Sequence, residues 1–86
     1  MNPTNPYRIV AERNNEVVMF HVYLYHKSGY KHISRKGPAV CKDPLSIKRY
    51  TVNLAITFKA GLSIPYKVVD VESFSSRRDD DYDSLV

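Results

Sequence analysis

A single cysteine, Cys41, occurs in the 86 residues, so no internal disulfide can staple the fold. Small extracellular domains usually depend on such staples, so a reducing compartment, the cytoplasm, is expected, with Cys41 a buried, inert thiol. Tryptophan is absent and glycine occurs only at Gly29, Gly37 and Gly61, which leaves no glycine-rich loop to cradle a phosphate. The longest apolar run, Val17 to Phe20, falls far short of the roughly 20 residues that span a bilayer. No membrane partner is expected. Met1 to Pro6 lacks the basic and apolar regions of a signal peptide, and the chain is expected to be a small gene product in its own right. Three histidines and one cysteine show no metal-ligand spacing, so neither a metal nor a cofactor is expected.

Acids are scarce where bases are plentiful. Residues 1–78 hold all thirteen Lys and Arg against five acids (Glu12, Glu16, Asp43, Asp70 and Glu72), a net of +8. Residues 79–86 hold four aspartates and no base, a net of −4. A basic body attracts polyanions, and nucleic acid is the commonest. The hydrophobic fraction of 43% is too high for a disordered chain. One domain is expected over residues 7–74, preceded by a flexible Asn/Pro arm at 1–6. A disordered acidic tail is expected at 75–86, because Ser, Arg and Asp cannot bury enough apolar area to order themselves.

The firmest pattern is a hairpin. Tyr7 to Arg13 and Glu16 to Tyr25 are β-rich runs about Asn14-Asn15, and Asn tolerates the positive φ of a two-residue turn. Pairing Arg13 with Glu16, Ala11 with Val18, Ile9 with Phe20 and Tyr7 with Val22 gathers Tyr7, Ile9, Ala11, Val18, Phe20, Val22 and Leu24 on one face. Arg8, Val10, Glu12, Val17, Met19, His21, Tyr23 and Tyr25 take the other. A turn at His26 to Gly29 returns the chain as a third strand, Tyr30 to Arg35. It sets His32 opposite Tyr23 and Ile33 opposite Val22, and ends at Lys36-Gly37-Pro38.

Residues 43–61 carry two patterns. As a helix, Asp43 caps it, Pro44 takes the first position and Gly61 closes it; Ile47, Tyr50, Leu54, Ala55 and Phe58 form one stripe. As a strand, Tyr50, Val52, Leu54, Ile56 and Phe58 alternate with polar or small residues. The start and stop signals favour the helix. The predicted fold is therefore α+β: a small hairpin-based antiparallel sheet, one helix at about 44–60, and a C-terminal strand, Tyr66 to Val71. An all-β five-stranded small barrel is the alternative.

Function is read from the hairpin's outer face. Tyr23, Tyr25, Tyr30 and His32, with Arg8, Lys27, Lys31, Arg35 and Lys36, make the mixture that holds single-stranded nucleic acid. Aromatic faces stack on bases while cations track phosphates. The competing reading is a second packing face or a protein interface. No RNA-recognition signature is present, so binding without sequence specificity is expected. A helical reading of 44–60 also leaves a second apolar strip, Leu45, Val52 and Ile56, which points to a protein partner or self-association. The acidic tail reads as a solubilising end, as a phosphate mimic laid on the basic body, or as a segment presenting Tyr82, Leu85 and Val86 to a partner. His21 and His32 approach across the second and third strands, so a small ribonuclease or toxin is an alternative. No catalytic motif supports it, and a non-enzymatic role is expected.

In size, basicity, β-rich layout and lack of a catalytic signature, the chain resembles the small phage proteins that neutralise host defences. Among these it is similar to the basic inhibitors that T-even-type phages direct against ToxIN-like toxin–antitoxin ribonucleases. The resemblance spans the whole length, rests on overall character, and carries no residue over. It implies a protein that binds RNA and a host toxin nuclease together and holds the toxin inactive. An RNA-independent inhibitor of a host protein is the alternative within this reading.

Overall fold

The computed structural model describes residues 5–27, 29–61 and 64–72. The elements are β1 (Tyr7–Asn14), β2 (Val17–His26), β3 (Gly29–Val40), α1 (Pro44–Thr57) and β4 (Tyr66–Asp70). Four strands form one open sheet in the order β3-β2-β1-β4. The α+β architecture stands; the barrel alternative does not, because residues 44–57 are helical and the sheet does not close. The sheet is mixed, not purely antiparallel: β4 returns from the helix parallel to β1, pairing Ile9 with Tyr66 and Ala11 with Val68.

The hairpin forms with a corrected register. The turn is Asn15-Glu16, with Asn15 at φ +57°, and Asn14 stays in the ladder opposite Val17. Ala11 therefore faces Phe20, Ile9 faces Val22 and Tyr7 faces Leu24. Every expected pair shifts by two residues. Strand side chains alternate with a period of two, so the division between the two faces survives intact.

β3 does not stop at Lys36. It runs on to Val40 through Gly37-Pro38, whose peptide bond is cis. Two bulges absorb the extra residues. Tyr23 still faces His32, but Val22 faces Ser34, which leaves Ile33 bulged out; a second shift lies between Val18 and Phe20. Proline is tolerated because β3 is an edge strand. Gly37 takes φ +117°, and a Cβ there would lie 3.0 Å from the Val18 carbonyl oxygen, so only glycine fits this bend.

α1 starts as its sequence signals require. The Asp43 carboxylate accepts from the Ser46 backbone N–H (2.8 Å) and hydroxyl (2.9 Å). The helix closes at Lys59 and not at Gly61. Lys59 adopts φ +54°, its N–H donates to the Ile56 carbonyl, and Ala60 N–H donates to that of Ala55 (2.8 Å). These are the paired bonds of a Schellman end. Ile47, Leu54 and Ala55 pack on Ile9, Ala11, Val18, Phe20 and Val22, while half-buried Tyr50 and Phe58 close the sides. Thr51 is also buried there, and its hydroxyl donates to the Ile47 carbonyl at 2.9 Å. Each large side chain buried in this layer stabilises by about 1.5–3 kcal/mol.

The inner end of the expected arm is anchored. Asn5 Nδ2 donates to the Ala60 carbonyl (3.1 Å), Asn5 Oδ1 accepts from Tyr7 N–H (2.9 Å), and the Pro6 carbonyl accepts from Tyr25 N–H (2.7 Å). The predicted tail 75–86, with Tyr82, Leu85 and Val86, lies outside the described residues. Among the described residues no helix is long and apolar enough to cross a membrane.

Candidate nucleic-acid interface

The sheet face away from α1 carries the residues on which the aromatic prediction rests. Val10, Tyr23 and Tyr30 form a small buried cluster, with Tyr25 and Val69 partly buried against it. Tyr23 is 0% exposed and Tyr30 8%, so neither presents a ring to a base in this structure. Tyr25, half-buried, packs edge-on against Tyr30 with ring centroids 5.2 Å apart. Arg8 is occupied as well. Its guanidinium sits 5.2 Å from the Tyr30 ring centre and donates to the carbonyls of Asn5 and Tyr7.

Three strands contribute a polar chain to the same face. His21 on β2 is 2% exposed. Its Nε2 lies 2.9 Å from Glu12 Oε1 on β1, and its Nδ1 lies 3.2 Å from His32 Nε2 on β3. When His21 Nε2–H donates to the carboxylate of a neutral pair, Nδ1 is left to accept from His32 Nε2–H. The His32 ring also meets Tyr23 edge-on at 5.2 Å. The two imidazoles are bonded to each other, which leaves no gap between them for a phosphodiester. Acid–base cleavage by two histidines needs both within reach of the reacting phosphate. Among the described residues no three His, Cys, Asp or Glu side chains gather as a metal site.

The exposed cations lie elsewhere, along β3. Lys27 at the turn, Lys31, Arg35 and Lys36 on the strand, and Lys42 just beyond it are all exposed. Residues 27–42 contain these five cations and no acid. None of the five is in ion-pair contact with a described carboxylate. β3 is twelve residues long, at most about 36 Å for eleven steps of a straight strand. Cross-strand partners divide its cations between faces: Lys31 opposes Leu24 and Lys36 opposes Phe20 on the helix side, while Arg35 opposes His21 on the other. The Lys36 ammonium sits 6.0 Å from the Phe58 ring centre, and Tyr50 stacks on Phe20 at 4.3 Å. On the helix side of this edge one cation, Lys36, thus lies near a half-buried ring.

Of the nine residues the sequence nominates, the structure leaves Lys27, Lys31, Arg35 and Lys36 exposed along one edge, and packs Arg8, Tyr23, Tyr25, Tyr30 and His32 at least partly into the sheet face away from α1. Lys42 extends the edge and was missed. The signal for it was the continuation of β3 through Gly37-Pro38, which a local reading takes as a stop. Cys41 is buried. Burial, aided by the Asp43 carboxylate, pushes its thiol above the ordinary value, the opposite of what a reactive thiolate needs.

The chain matches no protein-family model, no curated protein and no solved structure.

Proposed function

We propose that this protein is a non-enzymatic RNA-binding protein that lays a single strand along the β3 edge. The observation that carries the reading is the run of five exposed cations with no acid between them, Lys31, Arg35 and Lys36 on the edge strand β3 with Lys27 just before it and Lys42 just after it. Phosphates track such a line without base readout, and the binding weakens as salt rises. The direct His21–His32 bond supports a structural role for the histidines over a catalytic one. The resemblance in character to phage inhibitors of toxin–antitoxin ribonucleases fits this reading. There the RNA would be held together with a host toxin nuclease, in the host cytoplasm.

Charged edge strands also prevent edge-to-edge pairing, so the test must separate the two uses. Lys31→Glu, Arg35→Glu and Lys36→Glu, made together, keep the edge charged and remove its attraction for phosphate. Binding of a fluorescent single-stranded RNA by the parent should fall about a hundredfold between about 50 and about 200 mM salt, for about five phosphate contacts. The triple variant should keep its circular dichroism spectrum and lose RNA binding at low salt. A folded triple variant that binds RNA as the parent does defeats the proposal.

A further inference from the structure

α1 carries a second apolar strip on the side turned away from the sheet. Leu45 and Ile56 are 54% and 60% exposed, and Val52 is half-buried. Spaced seven and four residues apart along the helix, they line up on one face over about 17 Å. Leu45 and Val52, with Lys48, Arg49 and Asn53, line a shallow depression of about 340 Å³. Lys48 and Arg49 are exposed in the lining of this depression, and Lys59 is exposed just past the end of the helix. Residues 44–59 contain no acid, and no described carboxylate forms an ion pair with these three cations. The face is thus an aliphatic ridge with a positive rim, in which the Asp43 carboxylate at the helix start lies near Arg49.

That chemistry selects among occupants. RNA fits the rim but not the ridge, since Leu, Val and Ile offer bases no aromatic platform. A second copy fits the ridge but not the rim: a two-fold contact would set Lys48, Arg49 and Lys59 against the same cations of the partner. We propose that this face docks an acidic amphipathic segment of another protein. Its apolar side chains would seat on Leu45, Val52 and Ile56, and its carboxylates would meet Lys48, Arg49 and Lys59. Such a segment supplies apolar anchors at helical spacing with complementary charge around them. The strip is small beside the about 800 Å² per partner of a stable interface, so the contact is transient and salt-sensitive. It uses a surface separate from the β3 edge and stands whether or not RNA binds there.

The probe is a synthetic helical peptide with Leu at every third or fourth position and Glu between, set against a scramble of equal composition that has no apolar face. By fluorescence anisotropy the full chain should bind the amphipathic peptide at least about tenfold more tightly than the scramble. Leu45→Ser with Ile56→Ser should remove that preference and leave RNA binding unchanged. Both side chains are more than half exposed, so the fold should survive. Lys48→Gln with Arg49→Gln, which touches no core residue, should weaken binding and flatten its salt dependence. Equal affinity for the two peptides, or affinity for neither, overturns the proposal. So does a dimer that Ile56→Ser dissolves, which would name a second copy as the occupant. So does tighter peptide binding after deletion of residues 79–86, which would name the chain's own acidic segment. Loss of RNA binding in the β3 variant bears only on the RNA reading.

Discussion

The two faces of the sheet are buried by different physics. On the α1 side, Ile9, Ala11, Val18, Phe20 and Val22 meet Ile47, Leu54 and Ala55 in an apolar layer. Its stability grows with the area removed from water and tolerates small changes of geometry. On the other side, Val10, Tyr23 and Tyr30 surround a chain of polar groups, Glu12, His21 and His32, that runs across three strands. Directional bonds there fix which residue sits beside which, and each lost partner strands a buried polar atom. The first face supplies stability; the second pins the register of β1, β2 and β3. Placing tyrosines and histidines on the second face is what removes them from the list of groups free to touch RNA.

Breaking the first face should cost most. Phe20 is fully buried and stacked on Tyr50 at 4.3 Å, so Phe20→Ala should destabilise by about 3–5 kcal/mol. In a domain this small that is a large share of the total, and urea denaturation should show the midpoint collapsing. A loss under about 1 kcal/mol would mean that the helix does not close this layer. Breaking the second face should cost less. His21→Ala leaves the Glu12 carboxylate without its 2.9 Å partner and should lose about 1–3 kcal/mol. Amide exchange should show the effect concentrated in β3. Uniform loss across the sheet would deny the second face its register-pinning role.

The smallest effect sharpens the comparison at the helix cap. The Ser46 backbone N–H, then the Ser46 hydroxyl, with help from nearby Arg49, hold the Asp43 carboxyl below its ordinary value. Its folded value lies below its unfolded one. Its contribution is therefore full above about pH 4 and is lost as pH falls through the folded value. Asp43→Asn keeps the cap acceptor without the titration. Below about pH 4 the variant's helical circular dichroism should fall less than the parent's. Superimposed acid curves would remove the cap from the account of the first face.

Where the signal was local, the sequence was legible. Period-two alternation in residues 7–25 assigned every hairpin side chain to its observed face, even with the turn one position out, because a two-residue slip preserves parity. Asp43-Pro44 marked the helix start, and the stripe of Ile47, Leu54 and Ala55 marked its buried side. The candidate site was legible only in its cations. Lys31, Arg35 and Lys36 are exposed, as charge alone requires, but nothing local says that Tyr23 is fully buried while Tyr66, also in a β-rich run, is 38% exposed.

By itself, then, the sequence determined the hairpin, the apolar sides of its strands and the net basicity, and favoured the helix over a strand at 44–60, since alternation, caps and charge act between near neighbours. Only the tertiary structure decided that β4 joins β1 in parallel, that β3 bends through Gly37-Pro38 to Val40, and that its cations line an edge. These depend on which strands meet across the sheet. That choice is made by packing between residues far apart in the chain, and no short stretch of sequence encodes it.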